Sequence, residues 1–289
     1  EPLARPVTSL RVTEVRDYLA CPYRYYLRHR LRLNAMADDA MELDGAGFGS
    51  LAHDVLQDFA RSPASQSTDR EEIEAHLNVA LDRAADAQFG ALPLPAVRVQ
   101  VEQLRWRLRA FARWQAGWAA EGWRIEQAEV APEPGKALLV VDGQPMALRG
   151  RIDRIDVNPG TGERVVFDYK TSEGGNPPEK THREHEEWID LQLPLYRHLL
   201  AGLGIAGPVK LGYILLPKDT GKTGASMAEW TDADLASADA TAAAVIRNVR
   251  AQRFWPPASP PPAFSEELAA ICQDGQYGAD LAEEEGDAA

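Results

Sequence analysis

The sequence predicts an α+β fold in which a helical region precedes a β-sheet. Two observations lead to this prediction. Apolar residues recur at spacings of three and four through most of the first 122 residues, a period typical of helices that bury one face. From residue 123 onward the chain changes to short segments rich in Val and Ile, separated by turn signals such as Pro-Gly and Asp-Gly.

The helical region is predicted to contain four segments. The first runs from Val7 to Leu33, with Thr8 or Ser9 as its cap and a break at Pro22. The stretch from Asp38 to Gly49 is acidic and then rich in glycine, so it is predicted to be a loop. Three helices follow, over residues 50–60, 69–89 and 95–122, with a Ser/Pro linker at 62–69.

The sheet region is predicted to begin with a meander of four strands. They cover residues 124–132, 137–141, 146–157 and 163–171. A helix over 190–202, a strand over 210–216 and an alanine-rich helix over 231–253 complete the order. We therefore predict one domain over residues 1–265, with a helical part at 7–122 and a sheet core at 123–255.

The end of the chain differs in composition. Residues 266–289 contain eight acidic residues and no Lys or Arg, so a solvated acidic tail is predicted there. The sequence begins at Glu1, and we expect this domain to be cut from a longer protein.

Composition and charge limit the classes of function. Apolar residues at 45% and charged residues at 26% are typical of a folded domain, and the longest aliphatic run, residues 137–141, is too short to span a membrane. Two cysteines favour a reducing cytoplasm over a secreted disulfide framework. The net charge of −13 argues against an extended nucleic-acid surface, yet residues 1–34 and 98–113 are rich in arginine.

Two carboxylates and a lysine are predicted to meet on one hairpin. If residues 158–163 form its loop, Asp153 lies directly opposite Asp168, where two like charges repel each other. A divalent cation such as Mg²⁺ or Mn²⁺ would offset that repulsion. Lys170 follows Asp168 by two residues, so it lies on the same face of its strand.

The alternative for this hairpin is a surface ladder of ion pairs. In that case Arg151 faces Lys170, and Arg154 and Asp156 lie on the other side. The strand over residues 165–170 is too apolar for an exposed ladder, so its acid and lysine are predicted to be half-buried, where a charge without a partner is costly.

Several motifs occur in a recognisable order between residues 9 and 196. They are the segment from Ser9 to Tyr26 with Cys21-Pro22 before its aromatic residues, Gly49-x-x-x-His53, Gly150-x-x-Asp153 with Asp168-Tyr169-Lys170, and Gln192-x-x-x-Tyr196. In this combination the chain resembles the PD-(D/E)XK nuclease superfamily, in its RecB-like branch. The resemblance is strongest to the C-terminal nuclease domain of AddB-type helicase–nuclease subunits.

The resemblance implies a restriction-endonuclease-like fold with a central mixed β-sheet flanked by helices. It implies that the metal ligands are His53, Asp153, Asp168 and the Tyr169 carbonyl. Asp153, Asp168 and Lys170 would then be the catalytic residues. Gln192 and Tyr196 share one helix face and would join them, although packing against the sheet is an open alternative for this pair.

The implied activity is that of a metal-dependent DNA nuclease, expected to be an exonuclease in DNA end processing, recombination or repair. Its expected partners are DNA ends or single strands and a helicase, its expected metal is Mg²⁺ or Mn²⁺, and the arginine-rich segments would contact phosphates. Relatives often hold an iron–sulfur cluster with four cysteines. Cys21 has only Cys272 as a late partner here, so such a cluster is not expected.

Two other interpretations of the sequence stay open. One is a catalytically silent relative that binds DNA or docks a helicase, and the other is an acidic adaptor for basic partners. Outside the motifs, Glu129 is expected to be structural, and His182, His185 and Glu186 are expected to be solvated.

Overall fold

A computed structural model describes residues 6–33, 42–263 and 265–274. Its helices are α1 (Glu14–Ala20), α2 (Pro22–Tyr25), α3 (Gly45–Ala60), α4 (Arg70–Phe89), α5 (Pro95–Ala120), α6 (Pro178–His182), α7 (Gln192–Gly202), α8 (Asp232–Arg250) and α9 (Ala269–Cys272). Its strands are β1 (Ser9–Arg11), β2 (Arg124–Val130), β3 (Leu138–Val141), β4 (Gln144–Arg149), β5 (Ile152–Val157), β6 (Arg164–Lys170), β7 (Arg183–Glu184), β8 (Glu187–Trp188), β9 (Val209–Leu215) and β10 (Gly224–Met227). A π-helical turn at Tyr26–Arg30 continues α2, and 3₁₀ turns lie at Pro63–Gln66, Thr220–Lys222 and Glu266–Leu268.

The central sheet has five strands in the order β10-β9-β6-β5-β2. Strand β6 pairs in parallel with β9, and the other pairs of this sheet are antiparallel, so the sheet is mixed. Helices cover both of its faces, which confirms the predicted α+β fold with a mixed sheet between helices. The hairpin of β5 and β6 has the predicted register, from Val157↔Arg164 to Arg154↔Phe167.

Each face of the central sheet has its own apolar core. On one face, alternate residues of β6 such as Val165 and Phe167 pack with the apolar sides of α3, α4 and α5. On the other face, Val166 packs with residues of α1, α7 and α8. The two-residue period of β6 therefore directs Asp168 and Lys170 to the side of α7, and Tyr169 to the side of α3 and α5.

The ion pair of Arg154 and Asp156 lies inside the protein. Both side chains are fully buried, with Arg154 Nη2 2.6 Å from Asp156 Oδ2, and the Trp118 indole donates to the same oxygen at 2.7 Å. The alternative of an exposed ladder on this side of the hairpin is therefore wrong.

The predicted four-strand meander is also wrong, because its strands belong to two sheets. Strands β3 and β4 form a separate three-stranded sheet with β1, which pairs in parallel with β4. Gly150 lies between β4 and β5, where a Cβ atom would come within 2.8 Å of Val12 and of Leu199. The chain turns from one sheet to the other at this glycine, since a side chain would not fit between those two residues.

Helix α3 begins earlier than predicted. Residues 45–49 are helical and not part of a loop, because the Asp44 side chain caps the helix by accepting from the Gly47 amide at 2.7 Å. The first part of the predicted loop, residues 38–41, lies outside the described residues. Gly49 of the extra turn lies close to Thr171, which follows β6, since an added Cβ atom at Gly49 would lie 3.5 Å from the Thr171 hydroxyl.

The beginning of the predicted acidic tail is folded. Residues 266–272 form a short 3₁₀ turn and α9, in which Leu268 and Cys272 are buried against Leu27 of the first helical segment. Arg24 and Arg28 pair with Asp274 and Glu267 respectively. The apolar contacts and these ion pairs explain why the chain packs here although it is acidic.

Within the described ranges, no helix is both long enough and apolar enough to cross a bilayer.

Candidate active site

The candidate site lies where β5 and β6 separate. Their backbone ladder ends at the pair Arg154↔Phe167. Beyond it, the Tyr169 amide donates to a side-chain oxygen of the neighbouring strand, Asp153 Oδ2, at 2.9 Å. Asp153 is only 7% exposed. In an antiparallel pair the N–H and C=O of one residue face the same neighbouring strand, so the Tyr169 carbonyl also faces this opening.

The two carboxylate oxygens of Asp168 have different partners. Oδ1 accepts hydrogen bonds from Gln192 Nε2 at 2.7 Å and from the Tyr196 hydroxyl at 3.0 Å. Oδ2 lies 2.7 Å from Lys170 Nζ, although this ion pair lacks hydrogen-bond alignment. Gln192 and Tyr196, one turn apart on α7, thus contact the site and also pack against the sheet.

Lys170 has an aromatic neighbour that sequence analysis did not predict. Its ammonium lies 5.0 Å from the centre of the Tyr213 ring, on the neighbouring strand β9. The Tyr213 hydroxyl is 2.5 Å from His182 Nε2, and His182 Nδ1 donates to the Asp190 carbonyl at 2.8 Å. His182 is fully buried, so the prediction of a solvated side chain is wrong for this residue.

His53 and Glu129 approach the site from the side of α3 and β2. His53 Nδ1 lies 3.6 Å from Asp153 Oδ2 and 3.9 Å from Glu129 Oε1. The His53 ring also contacts the Tyr169 ring edge to face at 5.7 Å. Helix α3 therefore brings an imidazole to a carboxylate that is 100 residues later in the chain.

Glu129 has a strained backbone. It lies between the pairs Ala128↔Arg154 and Val130↔Ile152, and it has a φ of 52°, in the left-handed region that residues other than glycine seldom adopt. A bulge in β2 between Ile125 and Gln127 shifts the register ahead of it. Such strain is typical of functional positions, and here it accompanies a buried carboxylate directed at His53.

Burial and like charge change the protonation of the site. Burial, together with the nearby charge of Asp168, raises the pKa of Asp153 to about 7. Burial opposes protonation of His53, but Glu129 and the two aspartates outweigh it and raise the pKa of that imidazole. Burial likewise disfavours the Lys170 ammonium, but Asp168 outweighs it and raises the pKa of Lys170.

The donor atoms fit a divalent cation. Three possible metal-ligand atoms lie within 4.8 Å of one another, one each from His53, Glu129 and Asp153. Glu129 Oε2 and Asp168 Oδ2 are buried and accept no aligned hydrogen bond from the residues that the structure describes, although Arg151 and Lys170 lie close to them. Carboxylate oxygens with one imidazole suit hard ions such as Mg²⁺ and Mn²⁺.

The structure brings all the predicted site residues together and adds one. Asp153, Asp168, Lys170, Gln192 and Tyr196 form one connected group of contacts, joined by His53 and the Tyr169 backbone. Glu129, which was expected to be structural, belongs to the candidate metal group. Sequence periodicity could not find it, because the bulge in β2 hides which residue lies opposite Asp153.

A cleft of about 480 Å³ opens beside Lys170. Its walls come from the start of α3, the end of β6 and one side of α5, including Gln103 and Arg107. Arg107 is buried there and donates to the backbone carbonyls of Thr171 at 2.6 Å and Leu216 at 3.0 Å. Two residues of the candidate site, Tyr169 and Lys170, line this cleft.

Comparisons with known proteins show the family to which the chain belongs. The sequence profile of the PD-(D/E)XK nuclease superfamily matches residues 9–274, so the chain belongs to that superfamily. The B-type subunit of the ATP-dependent helicase/deoxyribonuclease of Clostridium acetobutylicum is 24% identical over 203 residues, which are 65% of this chain and 17% of that protein. The predicted resemblance to AddB-type subunits is thereby confirmed, and the chain spans only a small part of that relative.

One solved structure supports the fold. A proposed exonuclease from Eubacterium rectale superposes with a TM-score of 0.50 at 13% sequence identity, covering 92% of this chain and 87% of that one. At this level of identity the likeness concerns the fold alone.

Proposed function

We propose that this domain is a metal-dependent DNA nuclease, and specifically an exonuclease that acts in DNA end processing, recombination or repair. The observation that carries the proposal is the pair of buried carboxylates, Asp153 and Asp168, with the Lys170 ammonium 2.7 Å from the second of them. Buried like charges are unfavourable unless cations offset them, and a metal-binding hydrolytic site makes use of that arrangement.

His53, Glu129, Asp153 and Asp168 would hold the metal, together with the Tyr169 carbonyl. When bound, a divalent cation stabilises negative charge on the phosphodiester and increases the acidity of water. Lys170 orients the attacking water or stabilises charge on the phosphate oxygens. Gln192 and Tyr196 fix Asp168 through Oδ1, which leaves Oδ2 directed at Lys170 and the opening.

A relative supports the finer parts of the proposal. It is a subunit of a helicase/deoxyribonuclease, so we infer that DNA is the substrate and a helicase the partner. We also propose that the protein acts in the cytoplasm, a reducing compartment that suits its two free and buried cysteines.

The test is degradation of end-labelled linear DNA by the purified domain with Mg²⁺ or Mn²⁺, and with EDTA. We expect degradation only with the metal. Covalently closed circular DNA should be spared, because an exonuclease needs an end. Asp168→Asn should abolish degradation, whereas Asp142→Asn should not, since Asp142 is an exposed partner of Arg247. Metal-independent binding without cleavage would support the silent relative instead.

A further inference from the structure

Trp106 is exposed on the outer face of α5, with 62% of its surface accessible. The guanidinium of Arg109 lies over its ring, 5.1 Å from the centroid. Trp114 and Trp118 on the same helix instead stack on each other at 5.6 Å and pack with the core. A large aromatic ring left in solvent beside a cation is a feature of surfaces that bind unpaired bases.

The surface around Trp106 is continuous with the cleft at the candidate site. Trp106 and Val99 line a shallow groove along α5, and Gln103 belongs to this groove and also to the cleft beside Lys170. Trp106 and Gln103 are three residues apart, so they are neighbours on the helix surface. A polymer that leaves the cleft past Gln103 therefore reaches Trp106 next.

Three arginines of α5 are held by other groups of the protein. Arg105 pairs with Asp82 and Glu102, and Arg107 is buried against backbone carbonyls. Arg109 pairs with Glu74 at 2.6 Å, so that its guanidinium is fixed beside the Trp106 ring. These arginines are therefore not free to follow a ligand.

Two other arginines of α5 are available. Arg98 lines the groove with Trp106, and Arg113 lies two turns from Trp106 on the same face. Both are exposed, and neither has an ion-pair partner within the described part of the chain. They lie on opposite sides of Trp106 along the helix, so cations flank the indole in both directions.

We propose that this face of α5, formed by Arg98, Val99, Trp106, Arg109 and Arg113, binds single-stranded DNA as it enters or leaves the cleft. One base stacks on Trp106, and Arg98 and Arg113 contact the flanking phosphates. The bases of a duplex are covered by their neighbours, so an indole can stack only on an unpaired one. The inference rests on the proposed function and adds the form of the substrate and its path.

The test measures binding of a fluorescent single-stranded oligonucleotide and a duplex of the same sequence by anisotropy, in EDTA so that neither is cleaved. Trp106→Ala should weaken single-strand binding about tenfold and leave duplex binding within twofold, because loss of one stacked base has this magnitude. Trp106→Phe should restore most of the affinity. Arg98→Ala should weaken binding and reduce its dependence on salt.

Trp255→Ala is the matched control, because Trp255 is also 62% exposed but packs on Tyr23, away from the cleft. It should bind single strands as the unchanged protein does. If Trp106→Ala and the unchanged protein bind the single strand with equal affinity, the proposal is overturned. That result would favour another protein as the partner of this face. An equal loss in Trp255→Ala would also overturn the proposal. Cleavage by the unchanged protein, measured separately, tests the proposed function itself.

Discussion

At the scale of single residues, the site depends on how Asp168 divides its contacts. Two donors from α7 hold one oxygen, while the other faces Lys170 at 2.7 Å. The ammonium itself has two neighbours, since it also lies 5.0 Å from the centre of the Tyr213 ring. The orientation of the acid and of the lysine is therefore fixed before any substrate binds.

Replacing Lys170 should separate chemistry from metal binding. We expect Lys170→Met to lower kcat by roughly 10²–10³-fold, because it removes the charge that, under the proposed function, acts on the reacting phosphate. Metal binding measured by calorimetry should persist, since Lys170 is not a ligand. Lys136→Met, at an exposed position in a turn, is the control. A normal rate for Lys170→Met would contradict the role given to this residue.

The raised pKa of Asp153 predicts how stability depends on pH. The folded protein binds a proton at Asp153 up to about pH 7, whereas the unfolded chain releases it near pH 4. The contribution of Asp153 to the free energy of unfolding of the metal-free protein should therefore fall as pH rises from about 4 to about 7. His53, whose pKa is also raised, acts in the same direction.

Urea denaturation in EDTA at pH 5 and pH 8 measures this effect. Asp153→Asn keeps an oxygen that accepts from the Tyr169 amide, but it cannot ionise. The free energy of unfolding of this variant minus that of the unchanged protein should therefore be larger at pH 8 than at pH 5. Mg²⁺ should stabilise the unchanged protein more at pH 8, because protons no longer compete for the carboxylate. If the difference in the free energy of unfolding between the two proteins does not change with pH, the raised pKa of Asp153 is contradicted.

At the scale of elements, the site depends on the turn between β4 and β5. Gly150 lets the chain pass between Val12 and Leu199 and enter the central sheet two residues later, at Ile152. The glycine of the Gly150-x-x-Asp153 motif is thus required by packing. It acts on the site only by placing the strand that carries Asp153.

Gly150→Ala should destabilise the protein by about 1–3 kcal/mol, since its Cβ would overlap two buried side chains. Gly117→Ala is the matched control in α5, where an added Cβ meets nothing within 4 Å. That change should stabilise the helix by about 0.5–1 kcal/mol, because alanine is the better helix former. Denaturant unfolding of both variants checks the prediction, and equal effects would contradict it.

Local signals in the sequence predicted some elements and missed others. The register of β5 and β6 could be predicted, because it follows from the turn between them and from their apolar alternation. The proximity of Asp168 and Lys170 could also be predicted, because residues two apart on a strand lie on one face. Strand β1 could not be predicted, because Ser9–Arg11 is extended only through its pairing with β4 far along the chain. Glu129 was missed for a similar reason, since its place depends on a bulge that only the partner strand reveals.

At the scale of the whole molecule, the two ends of the described chain pack together. Leu268 and Cys272 of the C-terminal segment close over Leu27, and two ion pairs join the same regions. A segment that the sequence predicts to be an acidic, solvated tail is therefore in part a structural element, because a few apolar residues are enough to fix it against the first helical segment.

This packing predicts unequal effects of two similar substitutions. Leu268→Ala should cost about 2 kcal/mol or more, since Leu268 is only 2% exposed. Ile271→Ala, three residues later, should change stability by less than about 0.5 kcal/mol, since Ile271 is 49% exposed. Thermal unfolding of the two variants provides the comparison, and a loss for Leu268→Ala as small as that expected for Ile271→Ala would show that the C-terminal segment does not stabilise the fold.

The parallel pairing of β6 with β9 also has a consequence for synthesis of the protein. A ribosome releases the chain from its N-terminus, so His53 is outside the exit tunnel long before the residues that surround it in the folded site. Strand β6 cannot take its central place until β9, which ends at Leu215, has emerged. A nascent chain therefore holds no assembled site while most of the domain is still being translated, and the site residues can come together only after that strand is in place.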